Sequence, residues 1–237
     1  MPASETSPPY SRRIVRDDIA YILPMGVFMA LTWAGGHWAA FFPASYVLKT
    51  ILVAGLLIYL WPNYTRIRWN HWWLGVLVGS VSVVQWVGME KLILHFWPGY
   101  PRMSLDIYDP TQHFSSPQTM WAFIAIRWAG ATLLVPVMEE LFWRDFAWRT
   151  IIAPNDFKLA GVGEWDTKAF WFISLIFCTV HIQWMTAIVW AMMIGWLLVY
   201  TKSLGACIIA HGVTNFLLGA FVLYSHFVLH HQEWYFW

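Results

Sequence analysis

Seven apolar stretches, separated by short polar connections, constrain this chain more than any single motif in it. They run roughly over residues 19–38, 46–61, 72–89, 119–148, 165–182, 185–200 and 204–229. A helix needs about 20 mostly apolar residues to cross the hydrocarbon core of a bilayer. Inside that core every backbone N–H and C=O must be satisfied within the segment, which leaves the helix as the economical solution. The expected fold is therefore all-α, a polytopic transmembrane helix bundle of about 7–8 helices. Composition agrees: 59% of the 237 residues are hydrophobic and 11% charged, where a soluble domain carries about 25% charged residues. Nineteen tryptophans suit a chain that meets two lipid–water interfaces.

The run from Ala169 to Tyr200 is nearly unbroken, too long for one crossing at about 1.5 Å per residue. A break near Gln183 divides it into two short helices. The longest polar connection, "GYPRMSLDIYDPTQHFSSPQ", is rich in Pro and Ser and reads as a loop. Arginine and lysine placement sets the orientation. With the N-terminus inside, Arg12, Arg13, Arg16, Arg66, Arg68, Arg144, Arg149, Lys158, Lys168 and Lys202 fall on the inner side, and Lys49, Lys91, Arg102 and Arg127 on the outer. That distribution predicts a cytoplasmic N-terminus before an uncleaved first span. A net charge of +1 lacks the clustered basic face that nucleic acid requires, so no nucleic-acid partner is expected. Cys178 and Cys207 form no CxxC pair, and neither a disulfide nor a zinc finger is expected.

Ionisable side chains inside a bilayer cost roughly 2.5–3.5 kcal/mol each, so each one asks for a reason. Lys49 and Arg127 stand near span ends, where snorkelling suffices. His37, His71, His95 and His113 sit at ends or in loops, and His226, His230 and His231 suit an interfacial cluster. Glu139, Glu140, His181, His211 and Asn215 remain. Measured from the inner ends of their spans, Glu139, His181, His211 and Asn215 lie roughly 10–18 Å deep at 1.5 Å per residue, on the same side. Three helices thus converge on one level, which favours one shared site.

Spacing sharpens the roles. Glu140 and Arg144 stand four apart in the favourable order for an ion pair. Glu139 is turned about 100° from that pair and can face a cavity. His211 and Asn215 can point together at one group, and Phe177 can pack under His181. Pro136 removes a backbone donor before the glutamates, which frees a carbonyl and bends the helix. A carboxylate beside an imidazole can take a proton from water. A second imidazole and an amide can donate to the resulting oxyanion. Glu139, His181 and His211 could instead hold a divalent metal such as zinc. HExxH is absent, and no serine-nucleophile arrangement occurs. A purely structural network is a poor alternative, because interhelical hydrogen bonds in membranes average only about 0.6 kcal/mol. A proton or metal transporter would use the same ligands, but inverted repeats and paired broken helices are lacking.

"EELFWR" (139–144), "FCTVH" (177–181) and "HGVTN" (211–215) match EExxxR, FxxxH and HxxxN in order. In these motifs the chain resembles the CPBP (ABI) family of membrane proteases, which includes the type II CAAX endopeptidases. The resemblance covers roughly residues 130–220, and its tryptophan-rich phrasing looks closest to a bacterial exosortase-associated subgroup. It implies about eight helices around a polar cavity. It also implies Glu139 as the base, His181 as its helper, His211 and Asn215 as oxyanion hole, and Glu140 with Arg144 as supports of the motif helix. Asp145 stands where many members have glycine, a departure that bears on how the helix continues.

The implied organisation is a cytoplasmic tail over 1–18, N-terminal helices and outer loop over 19–118, a CPBP-like catalytic core over 119–229 and a C-terminal tail over 230–237. The implied setting is the bacterial plasma membrane, with the bilayer, a membrane-associated protein or peptide substrate and an exosortase-system component as partners. The alternative is a non-catalytic immunity or partner-binding protein of the same fold.

Overall fold

A computed structural model describes residues 16–102 and 107–237. The expectations placed on Arg12, Arg13 and most of the 1–18 tail lie outside the described residues. Among those residues the regular structure is helical, without strands. Six helices are long and apolar enough to cross a membrane: α1 (Asp17–His37), α2 (Phe42–Tyr59), α3 (Trp72–Phe96), α4 (Pro117–Ile152), α6 (Trp184–Thr201) and α7 (Leu204–Phe227). A shorter apolar helix, α5 (Thr167–Val180), lies between α4 and α6. The bundle is the polytopic all-α one that the apolar stretches require.

Local signals start and stop these helices. Pro117 opens α4, where its fixed φ and missing donor cost nothing. Asp166 accepts from Ala169 N–H at the start of α5, and Ser203 accepts from Ala206 N–H at the start of α7. α5 tightens into a 3-10 turn over Cys178–Val180, and His181 then goes extended at φ −125°, ψ 136°. The break falls at residues 181–183, as expected.

α6 and α7 are the inner helices: half of each apolar window is buried, against 22–28% for the other four. α3 packs along α7 through two glycines. A Cβ on Gly75 would lie 2.5 Å from Ala206 O, and one on Gly79 would lie 2.5 Å from Ala210 O. Two small residues one turn apart let the backbones touch, the usual means of helix association where lipid offers no hydrophobic drive. This contact fixes α7 in the turn just before His211.

α4 widens twice into π-helix, over Gly130–Leu134 and Leu141–Ala147, so both motif glutamates lie in a short α-helical stretch between two wide turns. The second turn carries Asp145. Tyr21 Oη donates to Asp145 Oδ2 at 2.6 Å, and Arg149 bonds Oδ1. Arg149 also donates to Ala160 O and Thr65 Oγ1 at 2.8 and 3.0 Å. A buried carboxylate thereby joins α1, α4 and both loops at this end.

Lys49 and Arg127 do not snorkel. They are 5% and 6% exposed. Lys49 Nζ donates to Thr32 Oγ1 at 2.9 Å and lies 4.2 Å from the centre of the Tyr46 ring. The Arg127 guanidinium lies 4.7 Å from the Trp237 ring. Aromatic faces hold both cations inside the bundle. At the opposite end from Asp145, Glu90 is fully buried and accepts from Tyr100 Oη at 2.6 Å and Thr186 Oγ1 at 3.1 Å. Burial and the Glu90 carboxylate hold the Tyr100 phenol above its ordinary range.

Candidate active site

Pro136 begins the construction. Val135 N–H bonds Gly130 O, an i→i−5 register, in which the next donor would have reached Ala131 O. Proline has none, and Asn215 Nδ2 from α7 fills the vacancy, donating to Ala131 O at 2.8 Å. The freed carbonyl read from the sequence thus has an owner and a partner. Gly212 allows the approach, since a Cβ there would stand 3.0 Å from Thr132 O. The docking of α7 on the wide turn of α4 brings His211 to the glutamates.

Glu140 is fully buried, with Oε1 2.8 Å from His211 Nδ1 and Oε2 3.4 Å from Arg144 Nε. The sequence pairs Glu140 with Arg144, but the shorter contact goes to His211. The physical reason is the π-helical run after Glu140. Its wider turn carries Arg144 out of the eclipsed i,i+4 position, so its guanidinium nitrogens make no hydrogen bond. The guanidinium lies 4.7 Å from the Phe177 ring and 5.5 Å from that of Trp190. Charge and aromatic faces hold it in place of a bidentate salt bridge.

Glu139 is 6% exposed, and its Oε2 has no hydrogen-bond partner. His181 Nδ1 lies 3.0 Å from Phe177 O, and its ring stacks on Phe177 with centroids 4.4 Å apart at 28°. Phe177 stacks in turn on Trp190, whose edge meets His211 at 4.7 Å. An aromatic column from α5 and α6 therefore carries both imidazoles.

Beside that column is a cavity of about 150 Å³, lined in part by Ala131, Phe177, His181, His211 and Asn215. It has room for several waters. Glu139 is not on its lining. The expected set is thus brought together in two parts: Phe177, His181, His211 and Asn215 share the cavity, while Glu140 and Arg144 stand behind His211, with Glu139 next to them in the chain. Among the described residues no three of His, Cys, Asp and Glu converge as a metal-holding group. Glu139, His181 and His211 do not fit a zinc ion as arranged.

Gln183, Trp190, Phe236 and Trp237 also line the cavity, and spacing alone did not single them out. Gln183 carried a signal, a polar side chain in a nearly unbroken apolar run, but it served only to mark the helix break. Phe236 and Trp237 reach the cavity from a segment that follows no helix periodicity.

The family model described as "Type II CAAX prenyl endopeptidase Rce1-like" matches residues 120–217, which contain all three motifs. No curated protein and no solved structure matches the chain. The three motifs, both imidazoles and part of the cavity wall fall inside the matched segment, and over residues 120–217 the chain is similar to the Rce1-like type II CAAX prenyl endopeptidases.

Proposed function

We propose that this integral membrane protein is an endopeptidase that hydrolyses a peptide bond of a membrane-associated protein or peptide, with residues 119–229 as its catalytic core. One observation carries the proposal: the two adjacent glutamates have opposite circumstances. Glu140 bonds His211 through Oε1 and keeps Oε2 within 3.4 Å of Arg144 Nε, whereas the buried Oε2 of Glu139 has neither a hydrogen bond nor an ion pair among the described residues. A carboxylate held inside a membrane bundle without a partner is costly, and activation of water gives it a use.

Glu139 takes a proton from water as the water oxygen bonds to the scissile carbonyl carbon, with His181 fixing the water. The carbonyl oxygen gains the negative charge and accepts from the second N–H of Asn215 and from the Nε2–H of His211, whose ring donates from both nitrogens, with Nδ1–H held by Glu140. Each good donor there stabilises the oxyanion by about 3–4 kcal/mol. The tetrahedral species collapses, the C–N bond breaks, and the proton passes from Glu139 to the leaving amine. Glu140 and Arg144 hold the motif helix and orient His211, and Phe177 supports His181. The basic inner loops favour a cytoplasmic N-terminus in a bacterial plasma membrane. The subgroup likeness points to an exosortase-system partner.

The test is expression of the chain and its Glu139→Gln variant in membranes with candidate C-terminal peptides, read by mass spectrometry. A defined cleavage present with Glu139 and absent with Glu139→Gln at equal protein levels is expected. Equal processing by both removes Glu139 as the base. One observation favours a second reading, a non-catalytic partner-binding protein: the chain's own Phe236 and Trp237 form part of the cavity wall. Cleavage of no candidate by either form would put that reading first.

A further inference from the structure

The cavity beside His181 and His211 is closed by the end of the described chain. Past α7 the backbone reverses at His230, in the left-handed region at φ +58°, and Trp234–Phe236 wind one 3-10 turn against the bundle. Trp234 and Phe236 are buried, and Phe236 and Trp237 join the cavity wall with His181, His211 and Asn215. Gln183, itself 4% exposed, donates from Nε2 to the backbone carbonyl of Tyr235. At the rim Lys91 pairs with Glu233 at 2.6 Å, and the Arg102 guanidinium lies 5.5 Å from the Tyr235 ring.

This is how a groove holds a peptide. A hydrogen bond to the main chain fixes the segment's position without reading its sequence, and the apolar wall accepts its side chains. Gln183 bonds a main-chain carbonyl and stands two residues from His181, in the helix break that opens the cavity. The tether is weak by comparison, since Lys91 is 46% exposed and a solvated ion pair holds little. We infer that the trough filled by residues 233–237 is the peptide-binding groove of this site. It takes a segment with bulky aromatic or aliphatic side chains at two successive positions, and Gln183 is the residue that positions its backbone. The inference rests on the endopeptidase reading for the fate of a bound peptide, but not for its binding. Residues 233–237 then act as an intramolecular competitor, at an effective concentration of the order of millimolar for a short tether, and an incoming peptide must displace them.

The probe is a fluorophore-labelled synthetic peptide of sequence QEWYFW with an amidated end. Its binding is read by anisotropy on the full chain in detergent, with Glu139→Gln throughout so that no cleavage intrudes. The unaltered tail should bind it weakly, and Phe236→Ala/Trp237→Ala should bind it at least tenfold more tightly. Glu233→Lys, a rim change that spares the core, should give a smaller gain in the same direction. It keeps the test open if the double variant does not fold. A second peptide carries an (E)-alkene in place of the Tyr–Phe amide, which deletes the carbonyl that Gln183 would meet. It should bind about tenfold more weakly than the first when Gln183 is present and equally when Gln183→Leu is introduced, a coupling that a merely structural role would not produce. Affinity independent of both tail variants, or an equal alkene penalty with and without Gln183, overturns the inference. The endopeptidase reading fails differently, as tight tail-dependent binding to a protein that leaves the peptide intact when Glu139 is restored.

Discussion

His211 Nδ1 stands 2.8 Å from Glu140 Oε1, so the second glutamate of the EExxxR motif is committed to a histidine 71 residues away, more closely than to the arginine four residues on. The contact couples α4 to α7 at the cavity wall. It makes the two glutamates separable by experiment.

Glu140→Gln should be a stability variant and Glu139→Gln an activity variant. Neutralising Glu140 leaves Arg144 buried without a counter-charge, and breaking a buried pair costs about 3–5 kcal/mol. Glu139 loses no hydrogen bond at Oε2, so its amide variant should keep nearly the parent unfolding temperature while cleavage falls by about 10²–10⁴-fold. Thermal unfolding in detergent and peptide cleavage, measured on both variants, decide the matter. A strongly destabilised Glu139→Gln would remove the distinction.

Much of this arrangement was legible in the sequence, for definite reasons. The spans and the break near Gln183 follow from bilayer thickness and helix rise. The approach of His181, His211 and the glutamates follows from three helices carrying polar groups to one depth. Long-range partners were not legible. His211 as the ligand of Glu140 depends on the π-turn after Glu140, which no periodicity announces. Buried Arg127 looks like a snorkelling residue until Trp237 is placed on it, and Asp145 reads as a departure from a motif until Tyr21 and Arg149 are seen around it.

Asp145→Asn tests that last network. The amide keeps the shape but removes the charge that Arg149 meets, and it leaves a buried guanidinium uncompensated. A loss of about 3–5 kcal/mol is expected, while Tyr21→Phe, which deletes the bond to Asp145 and those to Thr65, should cost less, about 1–3 kcal/mol. Chemical denaturation of the two variants should preserve that order; equal effects would mean that Asp145 is held by shape alone.

Asn215→Ala should act on structure and chemistry together. It leaves Ala131 O without its donor, a loss of about 1–3 kcal/mol for an unsatisfied buried group. It also removes an oxyanion donor, for which a fall in kcat of about 10²–10³ is expected with KM little changed. If kcat survives while stability drops, Asn215 is only the partner of the carbonyl that Pro136 frees.

Gly79→Val addresses the packing that positions His211. A Cβ at residue 79 would meet Ala210 O at 2.5 Å and the Val213 side chain at 2.8 Å, so α3 and α7 must part or shift along one another. Overpacking of this kind costs about 1–3 kcal/mol. Ala210 immediately precedes His211, so the displacement reaches the Glu140 contact and the cavity. The expected result is reduced stability together with a cleavage rate lowered more than the folded fraction accounts for. Gly88→Ala, on the same helix with open space around it, serves as control and should leave both unchanged. If cleavage in Gly79→Val falls only in step with the folded fraction, the α3–α7 contact supports the bundle without setting the site.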